Sequence, residues 1–137
     1  MAGPTILLVD DSSLQRRALA QMLQSFDCTL AEAADGAIAL DVVRAIHPDL
    51  VLLDYNMPVL DGLGFLRALR ADPPIARTPV IMLTANSAPA TLAAAARLGV
   101  RDYLMKPCDS ATLIPKMSRI VALQPRNEAS STAQDSQ

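Results

Sequence analysis

The chain has 137 residues and a formal net charge of −2, from 12 basic and 14 acidic side chains. About half of the residues (51%) are hydrophobic and Trp is absent, so one aliphatic core is expected. Because the sequence has no basic stripe, nucleic-acid binding by the domain itself is not expected, and no apolar run approaches the ~20 residues of a membrane span. The N-terminus lacks the basic region of a signal peptide, and Cys28 and Cys108 have neither metal-site nor disulfide-framework spacing. A soluble, cytoplasmic single domain with reduced thiols is predicted.

The first half of the chain predicts three strands and two helices. Residues 5–9 (TILLV) form a continuous apolar run, which is typical of a strand buried on both faces. Residues 12–26 have apolar side chains at helical spacing, with Ser12 or Asp11 as a possible cap. Residues 28–33 alternate weakly like a strand, 36–46 predict a helix, and 49–54 predict a second buried strand.

The second half continues the alternation. Residues 64–71 predict a helix ended by two prolines, and 79–84 (PVIMLT) predict another buried strand. An alanine-rich helix over 89–99 has proline in its first turn and glycine past its end. Residues 101–105 predict the last strand and 110–123 the last helix. Five strands alternating with five helices predict a parallel sheet that carries helices on both faces.

Two features depart from this regular pattern. Pro115 lies inside the last predicted helix, where it removes a backbone donor and costs about 3 kcal/mol. The helix is therefore expected either to start late, with Pro115 in its first turn, or to bend there. The segment 124–137 has almost no apolar residues, which predicts a disordered C-terminal tail after a domain that covers residues 1–123.

Polar side chains stand at the ends of four predicted strands. In an open parallel sheet, ligands bind beyond the carboxyl ends of the strands, so these side chains are expected at one edge. The residues at these ends are Asp10, Asp11, Asp54, Thr84, Ala85 and Lys106. Three carboxylates, a hydroxyl and an ammonium group are thereby predicted to meet in one place.

The predicted cluster has the chemistry of a phosphoryl-transfer site. Carboxylate oxygens are the ligands that Mg²⁺ prefers, and a cation would offset the repulsion among the three aspartates. Lys106 and Thr84 can bind phosphoryl oxygens through an ammonium and a hydroxyl group. The nucleophile is expected to be a carboxylate, because no serine or cysteine stands at a strand end with a base beside it.

Four motifs occur in the order and spacing of one family. The segments LLVDDS, LVLLDYNMPVLDG, VIMLTA and DYLMKP resemble the receiver domain of two-component response regulators. The resemblance covers residues 5 to about 123. It implies a flavodoxin-like (βα)5 three-layer α/β sandwich with a five-stranded parallel sheet in the order 2-1-3-4-5.

The resemblance also implies a role for each acidic residue. Asp54 matches the phosphoacceptor. Asp11 and Asp54 match the carboxylates that bind Mg²⁺ or Mn²⁺, with the backbone carbonyl of Asn56 as a third protein ligand. Asp10 matches an acidic residue that acts through a metal-bound water.

Further positions match the switch and the loop that follows the phosphoacceptor. Thr84, Ala85 and Lys106 match the phosphoryl-binding residues, and Tyr103 matches the aromatic switch position. The matching loop residues are Met57, Pro58, Asp61 and Gly62. Asn56 and Asn86, two residues after Asp54 and Thr84, occupy positions that tune acyl-phosphate hydrolysis in this family.

The implied function is that of a bacterial phosphorelay response regulator, with self-catalysed phosphotransfer and autodephosphorylation rather than turnover of a separate substrate. The phosphoryl donor would be a sensor histidine kinase or a histidine phosphotransfer protein. The downstream target would be a protein bound on the face of the fourth helix, fifth strand and fifth helix. Neither nucleic acid nor membrane is expected as a direct partner. The chain is expected to be a natural stand-alone regulator, either monomeric or dimeric upon phosphorylation.

Other classes of protein fit the sequence less well. A haloacid-dehalogenase-type phosphatase would need a second aspartate where Asn56 stands, and a nucleotide-binding domain would need a glycine-rich loop after a strand. A receiver-like scaffold that works without phosphorylation, or a phosphate sink in a relay, stays open. Asp10 and Asp11 could also simply cap a helix, and Tyr103 could be an ordinary half-buried strand residue. His47 precedes a proline at the opposite strand end, which argues against a phosphorylated histidine.

Overall fold

Residues 3–85 and 88–126 are described by a computed structural model, and within these ranges the predicted alternation of strands and helices is present. The strands are β1 Thr5–Val9, β2 Thr29–Ala33, β3 Leu50–Asp54, β4 Val80–Thr84 and β5 Asp102–Met105. The helices are α1 Ser13–Leu23, α2 Gly36–Ile46, α3 Gly62–Arg70, α4 Pro89–Arg97 and α5 Ser110–Ser118. A short 3-10 turn, Pro73–Ile75, follows α3 and was not expected from the sequence.

The strands form one parallel sheet in the order β2-β1-β3-β4-β5, as the resemblance implied. In the registers between neighbouring strands, Leu7 faces Val51 and Leu52 faces Ile81. The strand order reverses between β1 and β3, since β2 lies on one side of β1 and the later strands lie on the other. Parallel strands place all their carboxyl ends at one edge, so the ends of β1 and β3 are neighbours beside this reversal.

The helices cover both faces of the sheet with separate apolar layers. Alternate strand residues point to opposite faces, and this period of two assigns each strand residue to one layer. One layer packs against α2, α3 and α4; its buried strand residues are Leu7, Val9, Ala33, Val51, Leu53, Val80 and Met82. The other packs against α1 and α5; its buried strand residues are Ile6, Leu8, Leu50, Leu52, Ile81, Leu83 and Leu104. Burial on both faces is the reason that these strands read as continuous apolar runs.

Several helix ends differ from the predicted ones, and α4 ends at Arg97 rather than at residue 99. The first helix ends at Leu23 rather than at residue 26, and α3 begins at Gly62 rather than at residue 64. The last helix begins at Ser110, with Asp109 as its N-cap, and continues through Pro115 to Ser118. A late start at Pro115 is therefore wrong. The last helix, α5, ends at Ser118, five residues before the predicted end at residue 123.

No described helix exceeds 11 residues, and none is long and apolar enough to cross a membrane.

The beginning of the predicted tail is bound to the domain. Pro125 forms an antiparallel bridge with Phe26, and the backbone N–H of Asp27 donates to the carbonyl of Gln124. The guanidinium of Arg126 donates to the carbonyls of Gln24 and Phe26, each at 3.0 Å. Residues 124–126 thus contact the segment that follows α1, while the predicted domain boundary at residue 123 stays a prediction. Residues 127–137, and Asn86 with its predicted role, lie outside the described residues.

Candidate functional site

Three aspartates meet at the carboxyl edge of the sheet. Asp54 is the last residue of β3, while Asp10 and Asp11 directly follow β1, its neighbour in the sheet. One carboxylate oxygen from each lies within 4.8 Å of the others. Asp10 and Asp54 are only 2% and 4% exposed, whereas Asp11 is exposed to solvent. The structure therefore brings together the three carboxylates that the sequence placed at strand ends.

Lys106 joins two of these carboxylates. It comes directly after the last residue of β5, and its Nζ lies 2.7 Å from Asp54 Oδ1 and 3.1 Å from Asp10 Oδ2. Its backbone N–H donates to the carbonyl of Thr84, which anchors it to the end of β4. The side chain is largely buried, so the ion pairs lie where water screens them poorly. The ammonium group offsets part of the repulsion between Asp10 and Asp54.

Burial and charge oppose each other in this cluster. Burial raises the pKa of Asp54 above its ordinary value; Asp10 raises it further, while the hydrogen bond from Lys106 opposes the rise. Burial alone would lower the pKa of Lys106, but the hydrogen bonds and charges of Asp54 and Asp10 outweigh it, and this pKa is raised. A positively charged Lys106 is therefore held against a carboxylate whose ionisation is disfavoured by burial.

The turn after β1 fixes Asp10 by both main chain and side chain. Its N–H donates to the Ala33 carbonyl at 3.1 Å, and its Oδ1 accepts from the Ser12 N–H at 2.9 Å. Ser12 then caps α1 by accepting a hydrogen bond from the backbone N–H of Gln15, so the cap is Ser12 rather than Asp11. The first helix begins immediately after the site for this reason.

Two residues beside the site were missed by sequence reasoning. Arg16, in the second turn of α1, donates to the carbonyl of Asp10 and to the Glu32 carboxylate. Glu32 stands near the end of β2, opposite Leu8 in the register. A charged residue near the end of a weakly alternating strand and an arginine six positions after Asp10 were the only signals available. Neither residue carries a recognisable motif by itself.

The loop after β3 brings backbone groups close to Asp54. The backbone N–H of Asn56 donates to the Asp54 carboxylate, while the Asn56 side chain is exposed. Met57 is buried and Pro58 is exposed. Asn56 is thus adjacent to the cluster, and the role of its backbone carbonyl as a metal ligand stays a prediction.

Asp61 and Gly62 close this loop and start α3. Asp61 is the N-cap and accepts a hydrogen bond from the backbone N–H of Gly64 at 2.8 Å. Gly62 passes so close to the end of β3 that an added Cβ would lie 3.0 Å from both the Asp54 carbonyl oxygen and the Tyr55 Cα. Because backbone atoms cannot yield to a side chain there, glycine is needed at this position.

The remaining predicted residues divide into two groups. Thr84 is fully buried at the end of β4, beside β3, and Ala85 follows it on the exposed side of the same strand end. Tyr103, by contrast, lies on the edge strand β5 and is 39% exposed, with Met105 similarly exposed on the same strand. Tyr103 is therefore outside the carboxylate cluster and on the surface that the sequence assigned to the output.

An apolar cavity of about 480 Å³ opens beside the cluster, between α1 and the segment after β5. Its lining includes Ala18, Leu19 and Met22 from α1, and Ala85, Lys106 and Cys108 from the strand ends. Burial raises the pKa of the Cys108 thiol, which disfavours the reactive thiolate. His47 is remote from this region: it ends α2 with a left-handed φ of 46°, ahead of β3.

The donor set of the cluster fits a hard divalent cation. Three carboxylates offer oxygen ligands within reach of one ion, one of them open to solvent, and the Asn56 backbone is next to them. Mg²⁺ typically takes one or two carboxylates and keeps several waters, which an exposed sheet edge permits. Sulfur and imidazole ligands, which softer metals favour, are absent from this cluster of described residues.

The fold and the site define a class of protein. Residues 6–118 match the family model of the response regulator receiver domain. The chain therefore belongs to the receiver domains of two-component response regulators, with the CheY-like, flavodoxin-like fold.

Individual relatives agree with this assignment. The chemotaxis protein CheY of Pseudomonas aeruginosa is 38% identical over 116 residues, covering 84% of this chain and 94% of the relative. The structure of CheY4 from Vibrio cholerae has a TM-score of 0.81 at 32% identity and covers 87% of this chain and 99% of that one. The receiver domain of a Pseudomonas aeruginosa sensor histidine kinase, at 34% identity and a TM-score of 0.79, covers 87% of this chain and 98% of its own. That structure has a magnesium ion coordinated in its active-site cleft.

Proposed function

We propose that this receiver domain accepts a phosphoryl group on Asp54 from a phosphohistidine of a sensor kinase or a phosphotransfer protein. The observation that carries the proposal is the 2.7 Å contact between Lys106 Nζ and Asp54 Oδ1 inside a cluster of three aspartates. A carboxylate nucleophile, a fixed ammonium group and a set of oxygen ligands for a cation are the parts that phosphoryl transfer requires.

Asp11, Asp54 and the backbone carbonyl of Asn56 would hold Mg²⁺ or Mn²⁺, with Asp10 acting through a metal-bound water. When bound, the cation would supply positive charge at the phosphoryl oxygens and at the clustered carboxylates. The magnesium-containing sensor-kinase receiver domain supports this assignment by similarity.

The transfer itself needs one bond to form and one to break. A carboxylate oxygen of Asp54 attacks phosphorus, the P–N bond to the donor imidazole breaks, and its electron pair returns to the imidazole nitrogen. Lys106, already positioned against Asp54, would then bind a phosphoryl oxygen, and the Thr84 hydroxyl would bind another. Hydrolysis of the acyl phosphate by water would return Asp54 to its carboxylate, as self-catalysed dephosphorylation.

Signal output would use the surface made by α4, β5 and α5. Thr84 would move towards the phosphoryl group and Tyr103 would follow it inward, changing the shape of this surface. The exposure of Tyr103 and Met105 on the edge strand leaves both side chains free to meet a protein partner. The response would then be the binding of a downstream protein or dimerisation upon phosphorylation, and the setting would be the cytoplasm.

The test is incubation of the protein with a small acyl phosphate, with and without Mg²⁺, followed by intact-mass measurement. We expect a Mg²⁺-dependent gain of one phosphoryl group in the wild type and none in Asp54→Asn. Asp61→Asn is the matched control, because Asp61 is an exposed cap in the same loop and asparagine caps equally well.

Two outcomes would contradict the proposal. If a known receiver domain gained mass in parallel while the wild type did not, the scaffold reading would replace phosphorylation. If Asp54→Asn gained the same mass as the wild type, the phosphoryl group would be on another residue.

A further inference from the structure

We propose that Arg16 is a positioning residue for the cation site. It holds the peptide group between Asp10 and Asp11, and this determines where the Asp11 carboxylate lies. The inference rests on the proposed function, because it concerns the cation that phosphoryl transfer would use. Neither the family motifs nor the sequence pattern assigned Arg16 any role.

Arg16 joins the ends of two strands to the first helix. Its Nη1 donates to the carbonyl oxygen of Asp10 at 2.5 Å, and its Nε donates to Glu32 Oε1 at 2.6 Å. The Arg16 side chain is only 16% exposed, whereas that of Glu32 is 53% exposed. The Arg16 guanidinium therefore lies on the buried side of the ion pair, next to Asp10, and the Glu32 carboxylate lies on the solvent side.

This contact completes the fixation of Asp10. Its N–H is bound by Ala33, its carboxylate by Ser12 and Lys106, and its carbonyl by Arg16. A planar peptide bond makes the orientation of this carbonyl the orientation of the Asp11 N–H as well. The direction in which the chain enters Asp11 is thus set by Arg16.

Asp11 depends on that direction more than the other two aspartates do. Within residues 3–85 and 88–126, no hydrogen bond or ion pair holds the Asp11 carboxylate, which is exposed. Asp10 and Asp54 are instead buried and bound by Lys106. Of the three carboxylates, only Asp11 is placed by the main chain alone, so loss of Arg16 would disorder this ligand selectively.

The effect on a cation would come from geometry rather than from charge. Arg16 and Glu32 form a formally neutral pair, so they add little net repulsion towards a divalent ion. Groups that orient a metal ligand without touching the metal typically change its affinity by about 10–100-fold when removed. We expect Arg16→Met to fall at the lower end of this range, because one of three carboxylates is affected.

The experiment measures Mn²⁺ binding to the full chain by electron paramagnetic resonance of the free ion. We expect about tenfold weaker binding for Arg16→Met than for the wild type. Arg16→Lys keeps the charge but cannot reach both acceptors at once, so it should also bind more weakly. Arg44→Met is the matched control. The Nε of Arg44 also pairs with a carboxylate, that of Asp72 at 2.9 Å, but on the surface of α2. The Mn²⁺ affinity of Arg44→Met should therefore equal that of the wild type.

Urea unfolding without Mn²⁺ shows whether each variant is folded, so that a loss of stability is not mistaken for a loss of Mn²⁺ affinity. If Arg16→Met does not fold, Arg16→Lys is used to test the proposal. Wild-type affinity in a folded Arg16 variant, or an equal loss in Arg44→Met, would overturn the role of Arg16. Failure of the wild type to bind Mn²⁺ is a different result: it would remove the cation site of the proposed function and this inference with it.

Discussion

Single residues near the site tolerate conformations that most residues avoid. Val59, five residues after β3 ends at Asp54, has a φ of +70° and is 81% exposed. The backbone N–H of Leu60 donates to the Pro58 carbonyl at 2.7 Å, so Val59 is the centre of a three-residue turn. A β-branched side chain at positive φ is strained, and exposure at this level gives little packing in return.

We expect Val59→Gly to raise the free energy of unfolding by about 1 kcal/mol, because glycine adopts positive φ without strain. Chemical denaturation would measure the gain. Val59→Ala is the control, since alanine keeps a Cβ and should recover less. A Val59→Gly protein less stable than the wild type would show that the turn carries no strain.

Single elements are held together by side chains that reach across to main-chain carbonyls. Arg70, the last residue of α3, donates to the Leu98 carbonyl at 2.7 Å and to the Gly99 carbonyl at 3.2 Å, both beyond the end of α4. It also donates to the carbonyls of Ala76 and Thr78 at 2.9 and 2.7 Å, just before β4. One guanidinium therefore connects α3, the end of α4 and the entry to β4.

We expect Arg70→Met to lower the free energy of unfolding by about 3 kcal/mol, because three partly buried carbonyls and one exposed carbonyl lose a charged donor. Arg67→Met, on the same helix but exposed and without a side-chain bond in the part of the chain that the structure describes, should change stability little. Urea unfolding of both variants makes the comparison. Equal effects would mean that the carbonyl contacts contribute nothing specific.

The cap of α5 gives this element a pH dependence. Hydrogen bonds from the Thr112 hydroxyl and backbone N–H lower the pKa of Asp109 below its ordinary value of 3.8. The stabilising contribution of ionised Asp109 is therefore present above pH 3.8 and is lost as the pH falls through the lowered folded-state pKa.

We expect the stability advantage of the wild type over Asp109→Asn to shrink as the pH falls below about 4, since asparagine caps the helix without titrating. Urea unfolding at neutral and acidic pH would measure this difference. An advantage that stays constant across that range would argue that the charge of Asp109 does not contribute.

At the scale of the whole molecule, the described end of the chain returns to its first helix. The Arg126 guanidinium donates to the carbonyls of Gln24 and Phe26, and its backbone N–H donates to the Ser25 carbonyl at 2.7 Å. These carbonyls follow the end of α1, where a cation interacts favourably with the helix dipole. Contacts between residues about 100 positions apart thus connect the segment after α5 to α1.

We expect Arg126→Met to destabilise the protein by about 1 kcal/mol, since the contacts are exposed to solvent. Arg119→Met, an exposed arginine just after α5 that has no side-chain bond among residues 3–85 and 88–126, is the control and should be close to the wild type. Thermal unfolding would compare the two. If Arg126→Met matched the control, the return of the segment would add nothing to stability.

The sequence by itself determined the alternation of strands and helices and the cluster at the sheet edge. Strands that are buried on both faces must be apolar on both faces, and parallel strands place their carboxyl ends at one edge of the sheet. Residues at strand ends such as Asp10, Asp54 and Lys106 are therefore expected to lie close together. Local chemistry also restricted the cap of α1 to Ser12 or Asp11, and the structure selected Ser12.

Only the tertiary structure decided which long side chains bind which main-chain groups. Arg16, Arg70 and Arg126 all bind carbonyl groups, and every residue offers a carbonyl, so no residue type signals the partner. The end of α1 at Leu23 was mispredicted, and the contacts of Arg126 with the residues that follow α1 were not foreseen, because contacts between residues about 100 positions apart leave no local signal. Periodicity reports which face of an element is buried, whereas these contacts depend on how whole elements are placed.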